Sequence, residues 1–157
     1  MTSKSIDTGA DRRVPLEEIV PEVLRRGGNI SFIATGGSMW PHIRNGDMLA
    51  AVPLADDVTI RTGWVLVYET HMGRLAVHRV LGRFDTDTLK VRGDAATGVV
   101  ERVPRVAVLG RIVSRKRHGR LIDMTTMPRL MEGWLVARSG VARVTIQGVA
   151  RRARHRI

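Results

Sequence analysis

The segment Gly36-Gly37-Ser38-Met39-Trp40-Pro41-His42-Ile43-Arg44-Asn45-Gly46-Asp47 lies between two short apolar runs, Ile30 to Ala34 and Met48 to Val52. The first run reads as a strand. It ends in Thr35-Gly36-Gly37, a backbone able to turn sharply just ahead of Ser38. Further short apolar runs follow at Trp64 to Tyr68, Leu75 to Leu81, Thr88 to Val91 and Val106 to Val113. They are separated by turn signals such as Arg-Thr-Gly and Met-Gly. This spacing predicts an all-β core.

Both flanks of the core read as helical. From Pro15 to Arg26, Leu16, Ile19, Val20, Val23 and Leu24 recur at helical spacing, acids lie early, arginines lie late, and Gly27-Gly28 ends the pattern. Pro21 weakens this amphipathic helix. After Pro128 the apolar residues Leu130 to Val136 and Val141 to Val149 predict one or two basic amphipathic helices, broken near Ser139-Gly140. The chain therefore divides into an N-terminal tail and short helix (1–29), a β domain (30–120) and a basic helical extension (121–157). A chain of 157 residues can bury a real core, and its 43% hydrophobic and 26% charged residues are ordinary for a globular protein.

Composition also narrows the chemistry. There is no cysteine, so a disulfide framework, a thiolate nucleophile and a cysteine-based zinc site are excluded. No histidine spacing suits zinc, and neither a metal nor another cofactor is expected. Lysine and arginine number 26 against 15 acids, a formal charge of +11. The surplus is concentrated in Arg111 to Arg120 and Arg151 to Ile157. These runs read as solvated faces or tails, or as footprints for an anionic membrane surface or nucleic acid. No signal peptide or membrane-spanning run is evident, which places the expected location in the cytoplasm or at a membrane periphery.

Three short segments could carry chemistry. A serine after two glycines can stand on a tight turn with its hydroxyl unshielded and an N–H aimed at a developing oxyanion, although Gly-Gly-Ser is also a common loop. In Leu75-Ala76-Val77-His78-Arg79-Val80 the strand alternation puts His78 between Ala76 and Val80. Partial desolvation there favours the neutral imidazole a general base needs, and a lone strand histidine can equally be structural. Arg79 points the other way, as a structural ion-pair partner would. In Arg92-Gly93-Asp94-Ala95 a carboxylate at a strand end could orient a histidine, or simply close a turn.

Taken together and in this order, the three segments resemble the type I signal peptidase family and the related LexA-like self-cleaving proteins, over about Ile30 to Val113. Gly37-Ser38-Met39-Trp40-Pro41 matches that family's nucleophile motif, and Gly46-Asp47 matches the Gly-Asp that opens its next strand. His78-Arg79-Val80 matches the histidine form of its general-base segment, and Gly93-Asp94-Ala95 its closing motif. The resemblance implies a mainly β, signal-peptidase-like fold and a serine peptidase. Ser38 would be the nucleophile, His78 the general base and Asp94 its support. The Ser38 N–H would line the oxyanion hole. Many members carry a hydroxyl residue two positions before the nucleophile. Here that residue is Gly36, which offers backbone alone, and Thr35 has the nearest hydroxyl. Asp47 is expected to tie down its turn.

The implied substrate is a peptide or precursor protein. Two other readings remain: a LexA-like self-cleaving protein, and a non-catalytic basic module that binds an anionic membrane or nucleic acid through the C-terminal region. About 30 residues ahead of the core are too few for a helix-turn-helix domain, which argues against specific DNA binding.

Overall fold

A computed structural model describes residues 15–95, 99–125 and Leu135. They form a helix, α1 (Leu16–Arg25), and eight strands: β1 (Ile30–Ile33), β2 (Met48–Pro53), β3 (Val65–Glu69), β4 (Leu75–Arg83), β5 (Thr88–Arg92), β6 (Glu101–Pro104), β7 (Val108–Arg117) and β8 (Arg120–Asp123). The fold is mainly β, as expected. All strands pair antiparallel in one sheet of order β1-β2-β7-β3-β4-β5-β6, with β8 added to the far half of β7.

The expected strands are present with boundaries shifted by a few residues, and the structure adds β6 and β8. Glu101-Arg102-Val103-Pro104 and Arg120-Leu121-Ile122-Asp123 are short and polar, so neither carries an apolar run. The reading of the basic run 111–120 is narrowed. Of the alternatives, a tail is ruled out, because the run forms most of the long strand β7 and its turn into β8, with Lys116, His118 and Arg120 still exposed to solvent. The tail Met1–Asp11 lies outside the described residues. So do the one or two basic helices expected after Pro128, apart from Leu135, which is helical and exposed.

Strand β3 shows why the sheet is buried on both faces. Val65 and Val67 point into a core with Val20, Leu24, Phe32, Leu49, Leu109 and Ile112. Leu66 and Tyr68 alternate to the other side and join Val80, Leu89, Val91 and Val103. The first core is closed by α1, whose buried face is Val20, Pro21 and Leu24. Pro21 lacks an N–H to donate to the preceding turn, and it is tolerated because the helix is held by packing. An ion pair from Arg25 to Glu69 ties the helix end to β3.

Helix, β2 and β7 meet at Gly110. A Cβ there would lie 2.4 Å from the Val52 carbonyl oxygen and 3.3 Å from a Leu24 methyl. Backbone cannot yield as a flexible side chain can, so any larger residue must prise β2 from β7. Gly110→Ala is expected to cost about 1–3 kcal/mol and to lower the thermal midpoint by several degrees. An unchanged midpoint would show that this contact can give.

Candidate active site

Ser38 lies on the loop of the β1–β2 hairpin. The base of the loop is closed by two backbone hydrogen bonds, Ala34 N–H to Asp47 C=O at 2.8 Å and Gly46 N–H to Ala34 C=O at 2.9 Å. Gly36 adopts φ +82°, a left-handed conformation costly for a side chain, which turns the backbone into Ser38. Immediately beyond, Trp40 N–H bonds to Gly37 C=O and Ile43 N–H to Met39 C=O. Met39 and Ile43 are buried in the first core, whereas Ser38 is exposed. Apolar anchors thus pin the turn while leaving the hydroxyl accessible. Among the described residues the Ser38 N–H donates no hydrogen bond.

The far end of the loop is held by Asp47, only 2% exposed. Arg117 donates to both of its oxygens, at 2.7 and 2.6 Å, and the Arg44 N–H adds a third bond at 2.8 Å. The Arg117 hydrogen bonds, against the opposing effect of burial, hold the carboxyl below its ordinary 3.8. Arg115 and Arg117 also donate to the His42 carbonyl. The expected structural role of Asp47 is therefore present, supplied by arginines from β7.

His78 on β4 is brought to the same place. It and Ser38 line one cavity of about 200 Å3, walled by Thr35, Gly36, Phe32 and Val77 among others. No hydrogen bond joins Ser38 to His78 among the described residues, and catalytic contacts of this kind often tighten only with substrate bound. The imidazole is nearly enclosed, with its Nδ1 2.8 Å from the Tyr68 hydroxyl and 3.0 Å from Glu101 Oε1. Tyr68, itself buried, donates to Glu101 Oε2 at 2.9 Å. Burial, together with the neighbouring Glu101 charge, pushes the phenol above its ordinary 10, so it remains a donor. With Nδ1 engaged by Glu101 and Tyr68, Nε2 is the nitrogen left to accept a proton.

Asp94 does not take the position expected of it. Its oxygens receive two hydrogen bonds from Arg79, at 2.7 and 2.6 Å, and His42 Nδ1 lies 3.1 Å away. Burial raises its pKa, but the Arg79 hydrogen bonds and His42 outweigh that and hold the carboxyl below 3.8. A guanidinium matches both oxygens of a carboxylate at once, and the strand alternation that aims Arg79 away from His78 aims it at Asp94. Asp94 reaches His78 only as a nearby charge. The carboxylate touching the imidazole is Glu101, on the polar strand β6, where no apolar run or motif marks it in the sequence.

The neighbours of Asp94 in its motif have direct work on Ser38. The Ala95 N–H donates to Ser38 C=O at 2.9 Å. A Cβ on Gly93 would lie 2.4 Å from that carbonyl oxygen and 3.2 Å from Ser38 Cβ. Glycine at 93 is thus what lets the two segments touch. Compared with known proteins, the chain matches no protein-family model, and no curated protein shows significant similarity to it. Among the described residues no cluster of acids and histidines could hold a metal, and no helix is long and apolar enough to cross a membrane.

Burial pulls His78 below its ordinary 6.5, with Glu101 and Asp94 opposing. The folded imidazole therefore binds its proton less readily than the unfolded one. Its contribution to stability is intact above about pH 6.5 and is lost as pH falls below that value. An NMR titration should place the His78 midpoint below 6.5, and Glu101→Gln, by removing an opposing charge, should lower it further. A midpoint above 6.5 in the wild-type protein would contradict the burial argument.

Proposed function

We propose that this protein is a serine peptidase of the signal-peptidase-like type, with Ser38 as nucleophile and His78 as general base. One observation carries the reading. Ser38 and His78, distant in sequence, line the same cavity, with Ser38 exposed on a pinned turn and His78 held at Nδ1 by a carboxylate. The motif resemblance and a Ser38 N–H that donates to no described residue support it.

In this mechanism Ser38 Oγ attacks the scissile carbonyl as His78 Nε2 takes its proton. The oxyanion that forms accepts a hydrogen bond from the Ser38 N–H. His78 then protonates the departing amine, leaving an acyl-enzyme. Water, activated by the same imidazole, releases the acid and restores Ser38. Glu101 orients the ring and balances its charge when protonated, with Tyr68 fixing Glu101 in turn. Asp94 positions the 93–95 turn against Ser38. The substrate is a peptide or precursor protein entering as an extended chain.

A mixed peptide library offered to the purified protein should be cut, with Ser38→Ala and His78→Ala each slower by at least about a thousandfold. Cutting that survives in both variants would refute the assignment. A folded wild-type protein that cuts nothing would favour a binding module. A second comparison separates the two carboxylates. Glu101→Gln should lower kcat by roughly a hundredfold or more with little change in thermal midpoint, whereas Asp94→Asn should lower the midpoint first. The reverse pattern would return the orienting role to Asp94.

A further inference from the structure

A second, smaller cavity of about 40 Å3 lies between Trp64, His42, Arg79, Arg111, Ile112 and Met124, with Arg115 also on its wall. One water needs roughly 10–15 Å3 of such space, so the cavity has room for one or a few water-sized atoms. Its wall is cationic. The Arg111 guanidinium stacks 3.8 Å over the Trp64 ring, and its Nη2 is buried without a hydrogen-bond partner. Arg111 as a whole is half-buried, but this one nitrogen is shut off from solvent and unpaired, which is costly and calls for an acceptor at this spot.

Nearby carboxylates already have partners. Asp94 is chelated by Arg79, and Asp47 is chelated by Arg117 with Arg115 at 3.5 Å. Asp123, exposed, accepts two hydrogen bonds from Thr125. Burial lowers the Arg111 pKa, Asp123 opposes this and the like charge of Arg61 adds to it. A neutral water would satisfy the donor without balancing the charge, while a monoatomic anion does both within the available volume.

We propose that this cavity is a binding site for a chloride-sized anion, held by Arg111 Nη2 and the cationic wall shared with Arg79. The bound anion steadies Arg79 and, through it, Asp94 and the 93–95 turn that supports Ser38. The site stands independently of whether Ser38 cleaves peptides.

The test compares thermal unfolding of the full-length protein in sodium chloride and in sodium gluconate at equal ionic strength. Chloride should raise the midpoint by roughly 2–4 °C at saturation, and the gain should vanish in Arg111→Met, which removes the guanidinium but keeps an unbranched apolar side chain at this position. Equal midpoints in the two salts, or a gain that persists in Arg111→Met, would overturn the proposal. Should that variant fail to fold, bromide-soaked wild-type crystals decide. An anomalous peak at Arg111 Nη2 supports the site. Water there, or a peak unaccompanied by the chloride-dependent midpoint, means an adventitious ion at most and rejects it.

Discussion

Asp47 and Arg117 meet where the two halves of the site are joined. Asp47 lies directly ahead of β2, at the end of the loop that carries Ser38, and Arg117 ends β7, the strand that runs between β2 and β3. Their paired hydrogen bonds, with the grip of β7 arginines on the His42 carbonyl, lock the serine loop to the sheet that also carries His78. A buried ion pair is a weak source of net stability, because desolvation offsets much of its attraction. Its value here is positional: removing either partner would leave a charge buried at the root of the loop.

The same division of labour recurs on the other side of Ser38. Asp94 is also chelated by an arginine, and its flanking residues Gly93 and Ala95 touch the serine backbone. The serine turn is thus held between two carboxylate–guanidinium clamps and needs no contact to its own side chain. Apolar packing of Met39 and Ile43 fixes the remaining freedom. Rigid backbone with a free hydroxyl is the arrangement a nucleophile requires.

Much of this was legible in the sequence, for identifiable reasons. Strands β1 to β5 announce themselves because they bury apolar residues on one or both faces, and such runs stand out between glycine-rich turns. Ser38 and His78 are legible because the backbone chemistry around them is local: two glycines before the serine, strand alternation around the histidine. Strands β6 and β8 are illegible because they are short edge segments bearing charged residues. Glu101 shares their obscurity, since nothing near it in sequence signals that folding will bring it to His78. Asp94 was placed beside the histidine by its motif, and a competition between partners decided otherwise. Its nearest cation, Arg79, is bidentate and always charged, so it displaces a neutral imidazole. The arginine-rich stretch after Val108 illustrates a related limit, because charge density alone does not distinguish a solvated surface from a row of internal ties.

The central place of β7 has a temporal consequence. It is the seventh strand made, yet it lies between β2 and β3, so the first strands can be synthesised but cannot be joined into the finished sheet without it. Arg115 and Arg117, at its far end, are among the last described residues to leave the ribosome. Pairings that span so much chain form late in folding. The loop bearing Ser38 can close on its own hairpin early, but it lacks its arginine ties to β7 while the nascent chain is still growing, so the order of synthesis itself delays assembly of the site.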